Sequence, residues 1–267
     1  MRTILSLKNV HKTFEPGTIN ENHVLKGLSL DVMEGDFISV IGGNGAGKST
    51  LMNVIAGVLQ ADMGQIVLED TDITTQPVRK RSKKISRVFQ DTKMGTASRM
   101  TIEQNLAIAM KRGQSRGLSW GVKEKNRTFY QEILKELDLG LENRLKTSVE
   151  FLSGGQRQAL TLLMASLASP KLLLLDEHTA ALDPKTSEMV MALTEKIVTQ
   201  HHLTTIMITH NMENAIRYGN RLIMLQSGRV VVDIAGEEKK HLTVPQLMEL
   251  FHQRSGEFMT SDSLILS

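Results

Sequence analysis

The chain has 267 residues, with 32 lysine and arginine residues against 29 aspartate and glutamate residues, so its net charge is +3. Hydrophobic residues make up 40% of the sequence and charged residues 23%, which excludes a disordered, collagen-like or coiled-coil chain. No apolar stretch approaches the roughly 18–20 residues that a membrane-spanning helix needs. Because the sequence contains no cysteine, disulfides, cysteine-ligated metals and thiol catalysis are also excluded.

Short apolar runs alternate with segments of helical length, a pattern typical of an α/β fold. We predict strands at 4–10, 24–32, 37–41, 65–68, 85–89, 171–176, 204–209, 221–225 and 229–234. The nearly all-apolar runs among them favour a parallel sheet that is buried on both faces. Helices are expected after Gly47, Gly154, Asp183 and His210.

Between about residues 91 and 152, helical patterns replace the strand-like runs. One helix is expected to start with Thr101 as its cap, and a second to span 123–139 with Phe129, Ile133, Leu134 and Leu137 on one apolar stripe. We therefore divide the chain into an α/β core at about 3–90 and 160–235, an inserted helical subdomain at about 91–159, and a short C-terminal extension at 236–267.

The strongest basic run contains Arg79, Lys80, Arg81, Lys83, Lys84 and Arg87. We interpret it as a solvated surface segment, with a phosphate-rich partner such as lipid headgroups as the alternative. The pair His201-His202 is interpreted as a solvated helix end. Three surplus charges are weak support for nucleic-acid binding, so no nucleic acid partner is expected.

A phosphate-binding motif, G-x-x-x-x-G-K-S, is matched by Gly42-Gly43-Asn44-Gly45-Ala46-Gly47-Lys48-Ser49, between an apolar run and a predicted helix. Glycines allow backbone N–H groups to surround phosphate oxygens, and the next helix directs the positive end of its dipole at them. Lys48 is expected to contact the β- and γ-phosphates of a nucleotide, and the hydroxyl of Ser49 to ligate Mg²⁺. Thr50 belongs to the same nucleotide-binding segment.

Two carboxylates, Asp176 and Glu177, follow the apolar run 172–175. Because open α/β sheets bind ligands at the carboxyl ends of their strands, both are expected beside the nucleotide. Asp176 is expected to hold Mg²⁺ through water. Glu177 is expected beside the γ-phosphate, where a carboxylate can orient a water molecule and accept its proton.

A second candidate anion site is Leu152-Ser153-Gly154-Gly155-Gln156, at the start of a predicted helix. Its hydroxyl, its two unobstructed N–H groups and the helix dipole all favour a phosphate. A capped helix start with two glycines, and no ligand, is the alternative.

Taken in order, the phosphate loop, LSGGQ at 152–156, LLLLDE at 172–177 and Thr209-His210 resemble the ATP-binding subunits of ABC transporters, over about residues 3–235. The resemblance implies a P-loop NTPase core with a parallel sheet, an N-terminal antiparallel β part and an inserted helical subdomain. It also implies ATP and Mg²⁺ as cofactors and ATP hydrolysis as the activity. Two ATP molecules would lie between two copies of the chain in a head-to-tail dimer.

The same resemblance implies roles for single residues. Gln90 is expected to sense Mg²⁺ or the attacking water, His210 to contact the γ-phosphate, and Phe14 to stack on adenine. Asp183 lies in the loop that is expected to cross the dimer interface, and residues 153–156 are expected to contact the partner copy's ATP. Departures from the family pattern are the segment 16–23, which lengthens the loop after Phe14, and His178 in place of a proline, which is expected to make its turn less rigid.

The sequence therefore predicts an ATPase motor that is peripheral to the membrane, at its cytoplasmic face. Its expected partners are a second copy, membrane-spanning permease subunits and an extracytoplasmic substrate-binding protein. Similarity favours import over export, of an amino acid or a similar small solute. Met94 and Met100 are predicted either to form an apolar groove for the permease or to be ordinary core residues. A soluble ABC-type ATPase that acts on DNA or the ribosome is the alternative function, and a P-loop kinase or GTPase would leave LSGGQ unexplained.

Overall fold

The computed structural model describes residues 2–113 and 124–255 of the chain. Its strands are, in chain order, β1 (Thr3–Phe14), β2 (Asn22–Met33), β3 (Phe37–Ile41), β4 (Met63–Leu68), β5 (Thr71–Asp72), β6 (Ile85–Val88), β7 (Leu172–Asp176), β8 (Thr205–Ile208), β9 (Arg221–Gln226) and β10 (Arg229–Ala235). Its α-helices are α1 (Lys48–Ala56), α2 (Val78–Arg81), α3 (Ile102–Met110), α4 (Arg127–Lys135), α5 (Gly154–Leu167), α6 (Pro184–Gln200), α7 (Met212–Arg217), α8 (Gly236–Lys240) and α9 (Val244–Ser255).

The strands of the described residues form two sheets. An antiparallel sheet has the order β2-β1-β4-β5, and a larger sheet has the order β10-β9-β3-β8-β7-β6. In the larger sheet β10 runs antiparallel to β9, while the other pairings are parallel. Every strand predicted from the sequence matches an observed strand, and the antiparallel part and parallel core implied by the family resemblance are both present.

Two apolar layers cover the parallel strands. On β7, Leu172 and Leu174 join the layer that contains α1 and the antiparallel sheet, whereas Leu173 and Leu175 join the layer formed with α3 to α6. Because both faces of β7 are buried, its sequence is a continuous apolar run rather than an alternating one.

The predicted cap of α3 is confirmed, because the Thr101 side chain accepts a hydrogen bond from the backbone N–H of Gln104. The second predicted helix is shorter than expected, since α4 ends at Lys135 and a 3-10 turn precedes it. Its stripe was also wrong at one position: Phe129 is 41% exposed, and Tyr130 is buried instead with Ile133, Leu134 and Leu137. Tyr130 stands three, four and seven residues before Ile133, Leu134 and Leu137, which places it at the centre of the apolar stripe, whereas Phe129 lies at the margin of that stripe. Lys123, where this helix was expected to begin, lies outside the described residues.

The interpretation of the basic run as solvated is wrong for Arg81 and Arg87. Arg81 is buried, and its guanidinium donates hydrogen bonds to the carbonyls of Val54 and Ile55 in the last turn of α1. A cation at this position is also stabilised by the negative end of the helix dipole. The side chain of Arg87 is half-buried and contacts Asp176 at the carboxyl end of β7. The remaining basic residues of the run are exposed, as expected.

Helices α8 and α9 follow β10 and close one end of the larger sheet. Leu247 and Phe251 are fully buried against an apolar cluster that includes residues of β9 and β10. Residues 236–255 therefore pack on the core, and the division of the chain into core, helical subdomain and extension stays a prediction. Among the helices of the described ranges, none has the length and apolarity needed to cross a membrane.

Candidate nucleotide-binding site

Four neighbouring parallel strands, β3, β8, β7 and β6, end at the same edge of the larger sheet. The phosphate loop follows β3, His210 follows β8, Asp176 and Glu177 lie at the end of β7, and Gln90 follows β6. The fold thus brings four distant sequence signals to one edge, where sheets of this kind bind ligands.

Glycine is required in the phosphate loop for steric reasons. A Cβ atom at Gly42 would collide with the carbonyl oxygen of Leu225, and Gly47 adopts a φ of 100° in the left-handed region. Gly47 caps α1 without any side-chain hydrogen bond. The first N–H groups of α1 therefore have no capping side chain, which is the arrangement that suits a phosphate. Ser49, in the first turn of α1, is exposed.

Lys48 is bonded to the backbone of its own phosphate loop. The residue is only 6% exposed, and its Nζ donates to the carbonyls of Gly42 at 2.6 Å and Gly43 at 3.0 Å. Burial lowers the pKa of Lys48, while the charges of Glu177 and Asp176 act in the opposite direction. The ammonium group thus lies within electrostatic range of both carboxylates and beside the loop.

Glu177 is held by its backbone and by His210. Its φ of 46° lies in the left-handed region, which costs a non-glycine residue about 1 kcal/mol and is typical of functional turns. Its Oε1 lies 2.6 Å from Nε2 of His210. An ionised carboxylate only accepts hydrogen bonds, so Nε2 of His210 carries the proton. This bond lowers the pKa of Glu177, and partial burial opposes the effect.

Arg87 and Asn53 also belong to this edge, although no sequence motif includes them. One guanidinium nitrogen of Arg87 donates to Oδ2 of Asp176 at 2.5 Å, and the other donates to Oδ1 of Asn53, on α1, at 2.7 Å. The available signal was the position of Arg87, two residues after the buried Ile85 in a strand whose alternate residues share a face.

The residues at this edge suit Mg²⁺ bound together with a nucleotide. The hydroxyl of Ser49, the carboxylate of Asp176 and the amide oxygen of Gln90 are hard oxygen donors, the class that Mg²⁺ prefers. In the parts of the chain that the structure describes, no cluster of three or more histidine, aspartate or glutamate side chains is suited to hold a metal alone. Nucleotide-bound Mg²⁺ needs only one or two protein ligands beside phosphate oxygens and water, so this donor set fits.

Ser153 caps α5 through a reciprocal pair of 3.3 Å hydrogen bonds with Gln156. A Cβ atom at Gly155 would collide with the Thr186 side chain, so this glycine permits close packing of α5 against α6. Ser153 and Gly154 remain exposed at the helix start. The helix start is therefore capped, and its positive end stays accessible.

Three predicted site residues, Asp183, Phe14 and Ser153, have their side-chain contacts elsewhere than in the phosphate loop. Asp183 caps α6 by accepting a hydrogen bond from the Thr186 N–H, and Phe14 is half-buried at the end of β1, with Nζ of Lys12 5.9 Å from its ring centre. Within residues 2–113 and 124–255, neither Asp183 nor Ser153 forms a hydrogen bond or ion pair with the loop. A single chain thus joins the loop with Asp176, Glu177 and His210, and leaves the LSGGQ helix start separate.

His178 is buried, and its Nε2 lies 2.9 Å from Oγ1 of Thr194, on α6. The Thr194 hydroxyl donates its own proton to the carbonyl of Val190, so His178 donates to Thr194. Burial lowers the pKa of His178 to about 4, so the ring is neutral near pH 7. The hydrogen bond connects the turn after β7 to α6.

A family model described as "ABC transporter" matches residues 25–180. The chain belongs to this family. It is 48% identical to the tyrosine transport ATP-binding protein of Clostridioides difficile, over 93% of this chain and 98% of that protein. It is 32% identical to a methionine import ATP-binding protein of Streptococcus agalactiae, over 90% of this chain and 68% of that protein.

Among solved structures, a dimeric ATP-binding cassette in a post-hydrolysis state, bound to ADP and phosphate, superposes with a TM-score of 0.72. It is 31% identical, and the match covers 87% of this chain and 98% of that chain. The ABC ATPase fold and the ATP-binding, ATP-hydrolysing character of the subunit are confirmed. The alternative of an ATPase acting on DNA or the ribosome finds no support among these relatives.

Proposed function

We propose that this ABC subunit drives the import of an amino acid, with tyrosine as the first candidate, by binding and hydrolysing MgATP at the edge formed by β3, β8, β7 and β6. The observation that carries the chemistry is the grouping of Lys48, Asp176 and the Glu177–His210 pair at that edge. The substrate proposal rests on the 48% identical tyrosine transport protein.

Each residue of the edge has one task in this proposal. Lys48 and the loop N–H groups hold the phosphates, and Ser49, Asp176 and Gln90 hold Mg²⁺, directly or through water. When bound, Mg²⁺ neutralises charge on the phosphate oxygens. Glu177 orients a water molecule and accepts its proton, while His210 fixes the carboxylate and contacts the γ-phosphate.

A second copy completes each site. The start of α5, with Ser153 and Gly154 exposed, supplies a hydroxyl and N–H groups to the γ-phosphate held by the other chain. The loop with Asp183 crosses the interface, Phe14 stacks on adenine, and Gly155 and Gln156 form the rest of the contact. The match to a dimeric cassette bound to ADP and phosphate supports the pairing of two copies.

Permease subunits would dock beside the loop that follows Gln90. Met94 and Met100 are 50% and 42% exposed, which argues against a core role and suits an adaptable apolar contact. The subunit would then lie at the cytoplasmic face of the membrane, and an extracytoplasmic binding protein would deliver the substrate.

The test is reconstitution of the chain with its cognate permease and binding protein in liposomes. We expect ATP-dependent accumulation of labelled tyrosine that disappears with Lys48→Ala in the ATPase subunit. Uptake of another amino acid from a panel, without uptake of tyrosine, would change the proposed substrate and leave the import proposal standing. ATP-dependent loss of preloaded solute, or no permease association at all, would refute the import proposal.

A further inference from the structure

Arg87 links three elements of the nucleotide-binding edge. It lies on β6, three residues before Gln90, on the sheet face that packs against α1. One guanidinium nitrogen bonds to Asp176, at the end of β7, and the other bonds to Asn53, on α1. The guanidinium also lies 4.8 Å from the ring centre of Phe89. These contacts fix the cation at the carboxylate that is proposed to hold Mg²⁺.

The pair between Arg87 and Asp176 is poorly exposed to solvent. The two side chains are 14% and 15% exposed, so water and salt screen their interaction less than they would at the surface. Oδ2 of Asp176 is occupied by the guanidinium, which leaves Oδ1 for a metal-bound water. Nε of Arg87 is buried and has no hydrogen-bond partner among the described residues, which costs free energy. The contacts of the guanidinium with Asp176, Asn53 and Phe89 act against this cost.

We propose that Arg87 is a positioning residue that serves as the internal counter-ion of Asp176 and thereby sets how strongly nucleotide binding depends on Mg²⁺. This inference rests on the proposed function. With Arg87 present, the charge of Asp176 is neutralised, so this carboxylate does not repel a nucleotide that carries no metal. Without Arg87, the free carboxylate repels the phosphates until Mg²⁺ compensates it.

The measurable quantity is the ratio of two dissociation constants for ADP, one in EDTA and one in excess Mg²⁺, determined by titration calorimetry on the full chain. We expect Arg87→Met to raise this ratio by about tenfold or more, because one nearby charge is removed. Arg87→Lys retains the charge and should leave the ratio within about threefold of the parental value. If Arg87→Met does not fold, Arg87→Gln carries the same expectation as the methionine variant.

Arg112→Met is the matched control. Arg112 also holds β6 through a half-buried guanidinium, which donates to the carbonyls of Ser82 and Ile85 and to the hydroxyl of Ser86. None of these partners is a carboxylate, so this variant should keep the parental ratio.

The outcomes separate the two proposals. A parental chain that binds no ADP in Mg²⁺ would refute the nucleotide site itself. A parental chain that binds normally, with an Arg87→Met variant in which both affinities fall by the same factor, would overturn the counter-ion role and leave Arg87 as a structural link only.

Discussion

Oε1 of Glu177 and Nε2 of His210 are 2.6 Å apart, which joins the segments that follow the neighbouring strands β7 and β8. The bond lowers the pKa of Glu177 and so favours its ionised form, and an ionised carboxylate assigns the proton to Nε2 of the imidazole. The proposed base is therefore oriented before any nucleotide binds.

His210→Ala tests this pair. We expect turnover to fall by about 10²-fold, because the base loses its orientation and the γ-phosphate loses a contact. Since the hydrogen bond lowers the pKa of Glu177, its loss should move the acid limb of the kcat/KM profile to higher pH. His201→Ala, at the exposed end of α6, is the control and should change neither quantity. An acid limb at the parental pH would argue against coupling between the two residues.

Lys48→Ala should abolish ATPase activity and most nucleotide affinity. The substitution removes the buried ammonium group that bonds to Gly42 and Gly43 within the phosphate loop. Nucleotide affinity is measured by titration calorimetry and turnover by phosphate release. Lys80→Ala removes an exposed lysine of equal charge and should behave like the parent. Parental turnover in Lys48→Ala would remove the phosphate-loop assignment.

Ser153→Arg should bind ATP as a monomer and fail to dimerise, because a bulky cation would occupy the γ-phosphate side of the interface. The variant also loses a helix cap, which costs about 1 kcal/mol of unfolding free energy. Thr101→Arg is the matched control, since Thr101 caps α3 in an equivalent capping box outside the proposed interface. If Ser153→Arg dimerises in MgATP, the head-to-tail arrangement is wrong; if it loses nucleotide affinity as a monomer, the site is built within one chain.

His178 should make the unfolding free energy fall on acidification. Its pKa is about 4 in the folded chain and about 6.5 when unfolded, so the unfolded chain takes up a proton first. Stability is therefore lost as the pH falls from 6.5 to 4, by up to about 3 kcal/mol. Urea unfolding of the parent and of His178→Asn, in EDTA and without nucleotide, isolates the contribution of His178 to the pH dependence of the unfolding free energy. Equal pH slopes for the two proteins would contradict the burial of a neutral ring.

The phosphate loop, LSGGQ and the carboxylates at the end of β7 were predictable because each motif carries its own context of strand, turn and helix. That several strands end at the same edge of the sheet was also predictable, because short apolar runs alternate with helical segments along the chain. The prediction that Phe129 lies on the buried stripe was wrong because Phe129 and Tyr130 are adjacent, and a one-residue error in helix register exchanges an exposed ring for a buried one.

Arg87 was not predictable as a site residue because it ends a run in which five other basic residues precede it, and β6 is only four residues long. Its partners, Asn53 and Asp176, lie on elements that meet it only in the folded chain. The capping role of Arg81 and the burial of Phe251 against β9 and β10 were hidden for the same reason.

The most direct test of the proposed mechanism uses Glu177→Gln in MgATP. Its oligomeric state is measured by size-exclusion chromatography and its turnover by a steady-state ATPase assay. The amide retains the size of the side chain and cannot accept a proton, so turnover should fall by about 10²–10⁴-fold. Lys48, Ser49 and Asp176 remain, so ATP binding should persist and the chain should elute as an ATP-bound dimer. Hydrolysis at the parental rate would contradict Glu177 as the base, and a slow variant that stays monomeric, alone and with its permease, would contradict the two-copy site.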